Sequence, residues 1–512
     1  MNQHFSSDRK IASTRPDGSP DINDRAEIGP TPLAFAEWAE AGLECPNLAQ
    51  MRIDRHARLV KGINDRGYGA ALLFDPLNIR FATDSTNMQL WNAHNPFRAC
   101  FVGADGYMVL FDFKGGPDKV LSDFNPLVSE VRKSASMFYF INGDLQDADS
   151  RDFVSVIDAL MAEHAPNKRL AVDKMAISGV RAFDAAGYTI EEGEELTEKA
   201  RAIKGADEIR AVRCAIHSTE MACRLMEENA APGMTEDDIW AVMHAENIRR
   251  GGEWIECRLL SSGPRTNPWF QECGPRVVGN GEIVAYDTDL VGPYGMCCDI
   301  SRTFWVGDGE PTPEMKRLYR FAVDHIEENT GLLRPGISFH EITHSGHMLT
   351  PEFVDSRYGC KMHGVGLCDE WPFIPYPEDW RDGAMDYELQ PGMMLCVEAL
   401  IAHKGGAFSI KLEDQVLITE DGFENLTKYP FDAALMGADD MFKPKAGAKG
   451  DANSSTSGDG KDKDKAARIK HLRFFGAGML FAEAHAINAA DRIYCPLPMY
   501  HSAAGMVGVS MS

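Results

Sequence analysis

At roughly 100 to 200 residues per domain, a chain of 512 residues holds two to four domains that can each bury a core, so it is neither a peptide nor a stapled mini-protein. Hydrophobic residues at 44% and charged residues at 25% are globular values and exclude a disordered or fibrous chain. Lys plus Arg number 52 against 77 Asp plus Glu, and the net charge of −25 repels phosphate backbones and anionic lipid, so neither a nucleic-acid nor a membrane partner is expected. The 12 cysteines are scattered, none is spaced as CxxC, and only Cys297 and Cys298 are adjacent, which fits reduced thiols in a cytoplasm. The start, MNQHFSSDRK, has no apolar stretch, and no run of 18 apolar residues follows, so neither a signal peptide nor a membrane span is expected.

Residues 1–45 are polar and proline-interrupted and predict a flexible segment. Next come a helix near Arg52 to Asn64, a buried strand over Gly69 to Phe74, a turn at Asp75-Pro76-Leu77-Asn78 and a second strand through Ile79 to Ala82. This alternation assigns 46–202 to an α/β domain. From 203 the pattern changes: Ile209, Val212, Ile216, Cys223 and Met226 recur at helical spacing, opposite Glu208, Arg210, Arg213 and Glu220. That helix ends at Ala231-Pro232-Gly233, and Thr235 with Asp238 forms a capping box for a helix from Ile239 to Ile248. The same signature returns 103 residues later at Pro335-Gly336-Ile337-Ser338, after a helix over Met315 to Asn329. An internal duplication follows, each half running helix, turn, helix, strands, with a cleft between two curved sheets. Residues 203–440 therefore form an α+β domain. The tract 441–467, rich in Gly, Ser, Lys and Asp, predicts a disordered linker. The tail 468–512 is unassigned, and its LPMYHSAAG segment resembles acyl-CoA synthetases of the fatty-acid transport type.

Chemistry concentrates in the second domain. Ile283 to Asp289 reads as a strand ending in Asp287 and Asp289, one alternation apart and so on one face, with Asp299 ten residues beyond. Three converging acids are costly unless a cation neutralises them, although a solvated acidic turn reads equally well on this segment alone. Further along, His363 sits among glycines, Glu398 ends an apolar strand pattern after Pro391-Gly392, and Glu413 lies inside Lys411 to Val416. A carboxylate in apolar strand sequence is rarely buried without a partner, so these segments favour the cation.

From about Arg52 to Thr427 the sequence resembles the pita-bread metallopeptidase and creatinase superfamily, which includes methionine aminopeptidase, proline aminopeptidase, prolidase and creatinase. The matching pieces are DPLNIRFAT, IKGADEIRAVRCA, APGMTEDDI, the Asp289 to Asp299 hairpin with DISRTF, HGVGL, PGMMLCVE and KLEDQVLITEDGFENLT. The resemblance implies an α/β amino-terminal domain before a pita-bread catalytic domain, a dimer, and metal ligands at Asp289, Asp299, His363, Glu398 and Glu413. Hard carboxylates with one imidazole suit iron, manganese, cobalt or zinc better than a thiolate site would, which leaves Cys297 and Cys298 structural.

The peptidases carry a histidine before Glu in an HExP segment. This sequence has Asp369-Glu370-Trp371-Pro372 there, with Asp369 in the histidine's place. Its first hairpin is one residue shorter and adds Asp287, and Trp269 stands where a further peptidase histidine is expected. These departures resemble one branch of the fold, the dimethylsulfoniopropionate lyases, which cleave that zwitterion to dimethyl sulfide and acrylate. The resemblance implies iron on Asp287, Asp289, Asp299, His363, Glu398 and Glu413, with Asp369 as catalytic base and Tyr358 beside the substrate. A carboxylate base adds no positive charge next to a sulfonium, as a protonated histidine would. Aromatic faces attract such a cation, and Trp91, Trp269, Tyr294, Tyr358 and Trp371 are candidates, with Tyr358 and Trp91 preferred and packing the plainer explanation for most. A proline dipeptidase or aminopeptidase is the alternative enzyme. A non-catalytic binding protein on the same fold is the third reading, disfavoured by six intact ligand positions.

Overall fold

The computed structural model describes residues 29–113, 125–134 and 136–437. The expected linker at 441–467 and the tail at 468–512 lie outside the described residues, as do residues 1–28 of the expected flexible segment. The rest of that segment is not loose. Thr31 caps a helix over Pro32–Glu40, accepting from the Ala34 amide with Pro32 in the first turn. Phe35 and Trp38 on this helix are fully buried, the Trp38 ring stacks on Tyr294 at 5.6 Å, and its Nε1–H donates to Ser218 Oγ at 3.2 Å. Two large aromatics within one helical turn outweigh the surrounding polar composition.

The amino-terminal part is built on six strands: β1 (Ala70–Leu73), β2 (Ala99–Gly103), β3 (Met108–Asp112), β4 (Glu130–Lys133), β5 (Arg169–Val172) and β6 (Thr189–Glu192), ordered β4-β3-β2-β1-β5-β6. The expected second strand at Ile79 to Ala82 is instead a helix, Pro76–Thr83. Asp75 accepts the Leu77 amide and Pro76 presets the first turn, so the segment read as a turn is a helix start. Residues 78–83 of this helix are all buried, and a short buried helix has no period to distinguish it from a strand.

The second part runs as two parallel series. The helices Ala206–Asn229 and Glu236–Arg249 lead into β7 (Trp254–Ile255), β8 (Leu260–Ser262), β9 (Glu282–Asp287), β10 (Leu290–Val291), β11 (Cys297–Cys298) and β12 (Ser301–Val306). The helices Pro313–Thr330 and Phe339–His344 precede β13 (Met362–Val365), β14 (Asp369–Ile374), β15 (Met394–Ile401), β16 (Ile410–Ile418) and β17 (Phe423–Asn425). Thr235 and Ser338 cap the second helix of each series by accepting from Asp238 and Glu341. The β12-β9-β8 sheet meets the β14-β13-β15-β16-β17 sheet where β12 lies against β16: Thr303 Oγ1 donates to the Lys411 carbonyl and Arg302 Nη1 to the Glu413 carbonyl.

The two parts belong to one unit running to Leu435. Glu208, buried at the start of Ala206–Asn229, takes Arg55 Nε at 2.8 Å and Arg58 Nη2 at 2.5 Å from the helix Leu48–Asp65. Among the described residues, no helix is long and apolar enough to cross a membrane. Because Trp38 ties Pro32–Glu40 to this core, Trp38→Ala should lower the unfolding free energy by about 3–5 kcal/mol in urea titration. A loss below about 1 kcal/mol would show that the helix is not part of the cooperative core.

Candidate metal centre

Six side chains expected as ligands are brought together, and all six are buried. Asp287 ends β9, opposite Ser301 on β12. Asp289 lies past the strand's end, not within it as the sequence predicted, and holds a left-handed φ of 38° that turns the chain toward β10. Asp299 lies two residues before the start of β12, His363 lies in β13, and Glu398 and Glu413 sit directly opposite each other on β15 and β16. Like charges in that register repel, and neither carboxylate has water to screen it.

The donors converge on one point. His363 Nε2 is 3.1 Å from Glu398 Oε1, 3.4 Å from Asp299 Oδ2 and 3.5 Å from Glu413 Oε1. Asp299 Oδ1 and Glu413 Oε1 are buried without a hydrogen-bond partner, a costly state that a bound cation relieves. One set of donors within 4.8 Å of each other comprises Asp299, His363, Cys396 and Glu413, and a second comprises Asp287, Asp289 and Asp299. Asp299 belongs to both, so the residues fit either one divalent ion or two sharing that carboxylate. Burial pushes the Cys396 thiol well up, and its Sγ donates to the Asp299 carbonyl at 3.9 Å.

The charges confirm an excess of negative potential. Burial, then the neighbouring carboxylates, raise Asp289 and Asp299 well above the usual range. Burial and the facing Glu413 push Glu398 up to about 8. Burial opposes the imidazolium of His363, yet Asp369, Asp299 and Glu398 raise it well above its ordinary value, so an arriving metal displaces a proton there.

Lys411 was not singled out as a site residue in the sequence. Its Nζ, fully buried, lies 2.6 Å from Glu398 Oε2, 2.9 Å from Glu413 Oε2 and 3.0 Å from Asp287 Oδ2, and donates to Ser301 Oγ at 2.7 Å. It holds the outer oxygens of three ligand carboxylates and leaves the inner ones to a metal. Its place two positions before Glu413 was the available signal, since strand alternation puts both on one face. Cys257 was missed as well; its Sγ donates to Asp289 Oδ2 at 2.8 Å.

Asp369 opens β14 with Oδ1 3.6 Å from His363 Nδ1. Its side chain is 45% exposed, toward a cavity of about 800 Å³ also lined by Tyr358, His363, Phe270 and Trp371. Burial raises its carboxyl to about 7, with His363 pulling the other way. The Tyr358 ring stacks on Phe270 at 5.2 Å and lies 4.6 Å from Lys411 Nζ.

The other aromatic candidates lie elsewhere in this chain. Trp269 packs in a core cluster with Ala285 and Leu400, beneath Tyr358, and presents no face to the cavity. Trp91 packs against Phe97, Phe113 and Phe138 in the amino-terminal part, and within one chain it is not brought to the centre. Tyr294 is a packing residue under Trp38. Losing a ligand should exceed the 10- to 100-fold cost of losing a ligand's supporting partner, so His363→Ala and Glu413→Ala should each weaken metal retention by at least ~10²-fold. Elemental analysis after dialysis against chelator checks this, and wild-type metal content in both variants would sink the assignment.

Comparison with known proteins matches these features. Residues 210–420 match the model of metallopeptidase family M24. Dimethylsulfoniopropionate lyase DddP of Roseobacter denitrificans is 58% identical over 86% of this chain and all of its own length. The protein of that name from Roseovarius nubinhibens is 57% identical over 85% of this chain and all of its own. Among solved structures, X-Pro aminopeptidase from Thermotoga maritima aligns with a TM-score of 0.59 at 20% identity, over 74% of this chain and 99% of that one. Xaa-Pro dipeptidase from Bacillus anthracis aligns with a TM-score of 0.58 at 19% identity, over 74% and 98%. These two share the fold: an α/β amino-terminal domain followed by a pita-bread domain. With more than half its residues identical along the full length of both lyases, the chain belongs to the DddP family of dimethylsulfoniopropionate lyases, on the scaffold of metallopeptidase family M24.

Proposed function

We propose that this chain is a metal-dependent lyase that cleaves dimethylsulfoniopropionate to dimethyl sulfide and acrylate. The observation that carries the reading is Asp369, an acid where the fold's peptidases place a histidine, facing the cavity beside His363. Held by Asp287, Asp289, Asp299, His363, Glu398 and Glu413, a divalent ion would supply a Lewis acid for the substrate's carboxylate, and iron is the ion we assign, manganese, cobalt and zinc satisfying the same donors.

The protein's own residues do the rest. Asp369 accepts the proton from the carbon next to the carboxylate. The C–H electron pair becomes the C=C bond of acrylate, the C–S bond breaks, and dimethyl sulfide leaves with that bond's electron pair. The Asp369 carboxylate, with Oδ1 3.6 Å from His363 Nδ1 and open to the cavity, is placed to take that proton from a substrate held at the metal. The Tyr358 face lines the cavity beside the bound sulfonium, which leaves as neutral dimethyl sulfide. The partner is thus a small zwitterion, and we assign the chain as a cytoplasmic homodimer. The fold's likeness to prolidases favours a proline-peptidase reading, but Asp369 and Trp269 replace both histidines that reading needs.

Asp369→Asn keeps the side chain's volume and cannot accept the proton. Turnover, followed as headspace dimethyl sulfide, should fall by at least ~10²-fold while metal content holds, with no Xaa-Pro dipeptide cleaved by either protein. Near-normal turnover in this variant would remove Asp369 from the base role, and a rise in KM alone would make it a charge partner.

A further inference from the structure

The cavity that holds Asp369 contains a second feature that the lyase chemistry does not use. Lys199, on the helix Gly193–Ala202, places its Nζ 3.2 Å from the ring centroid of Trp371 and 3.4 Å from that of Tyr387. The two rings meet edge to face at 5.0 Å and 86°, forming a corner. Phe339 backs both, at 5.6 and 6.0 Å, and the Trp371 amide donates to Glu198 Oε2 at 2.8 Å, so the corner is fixed. Trp371 lies two positions after Asp369 on β14, where the pairing with β13 shifts register. Both line the one cavity.

The occupant fits poorly. An ammonium carries three donors, and Lys199 Nζ is buried with no acceptor for any of them. Burial accordingly pulls it down to about 8. Five glutamates, 192, 194, 195, 198 and 370, line the same cavity, yet the lysine lies on the rings. A corner with two π faces and no acceptor suits a cation that has no N–H to satisfy, namely a sulfonium or quaternary ammonium. If Lys199 leaves, Glu195 is four residues back on its own helix, a favourable spacing for an ion pair.

We propose that Trp371 and Tyr387 form an entry subsite for the dimethylsulfonium group of the substrate, which Lys199 fills until the substrate displaces it. The glutamates at the cavity wall draw the cation in, and the cavity that both residues line leads it toward Asp369. This inference rests on the lyase reading, and its test is separable from that reading.

Trimethylsulfonium has no carboxylate to engage a metal and cannot undergo β-elimination. Titrated calorimetrically into the metal-loaded enzyme, it should bind at least ~5-fold more tightly to Lys199→Ala, where nothing must be displaced. It should bind at least ~5-fold more weakly to Trp371→Leu, whereas Trp371→Phe, which keeps a π face, should retain most of the affinity. With dimethylsulfoniopropionate, Lys199→Ala should lower KM and Trp371→Leu raise it, with kcat moving less. Equal trimethylsulfonium binding in wild type and Lys199→Ala overturns the subsite even if Trp371→Leu fails to fold. Trimethylsulfonium binding in the expected order without any lyase turnover sustains the subsite and overturns the lyase reading.

Discussion

The structure depends on holding several carboxylates in one place where water cannot reach them. Glu398 and Glu413 face each other across adjacent strands with no exposure, and Asp287, Asp289 and Asp299 close in from the other sheet. Two unit charges 4 Å apart repel by roughly 4 kcal/mol at an effective dielectric of 20, so a few uncompensated pairs match the roughly 5–15 kcal/mol stability of an entire domain. The fold tolerates this only by supplying cations. Lys411 takes the outer oxygens, protonated His363 serves while the metal is absent, and the bound ion takes the oxygens that remain. Two sheets joined edge to edge by Arg302 and Thr303 give the rigidity that keeps the acids from relaxing apart.

That constraint also explains which parts could be read from sequence. A carboxylate embedded in apolar strand residues, as Glu398 is in MLCVEALI, has no bland explanation, so the ligands stand out singly. Lys411 shares the face of Glu413 but resembles any lysine in a strand until the opposite sheet is in place. The helix Pro76–Thr83 passed for a strand because burial on all sides erases periodicity. Aromatic residues were the weakest signal. Trp91, Trp269 and Tyr294 are ordinary packing within this chain, while Trp371, weighed with them, faces the cavity. Nothing local separates these cases, and Lys199, which completes the corner with Trp371, is far away in sequence.

The neighbouring acids Asp369 and Glu370 show how environment divides roles that sequence leaves equal. Glu370 points inward, where Arg201 Nε lies 3.0 Å away and Lys204 Nζ 3.2 Å, and the Leu367 amide donates to it at 2.8 Å. Burial alone would raise its carboxyl, but Lys204 and Arg201 overcome that and hold it below the usual range, so it is a permanent anion. Asp369, next to it on β14, has no arginine or lysine partner among the described residues; desolvation lifts it toward neutrality and His363 moderates the rise. Paired titratable groups whose surroundings drive their proton affinities apart are the usual arrangement for acid–base work. Here the buried member also fixes the exchangeable one. Arg201, on the helix Gly193–Ala202, and Lys204 just beyond it anchor Glu370, and this holds the start of β14, where Asp369 stands beside His363. The helix Gly193–Ala202 thereby reaches the neighbour of the proposed base through a buried ion pair at the cavity wall.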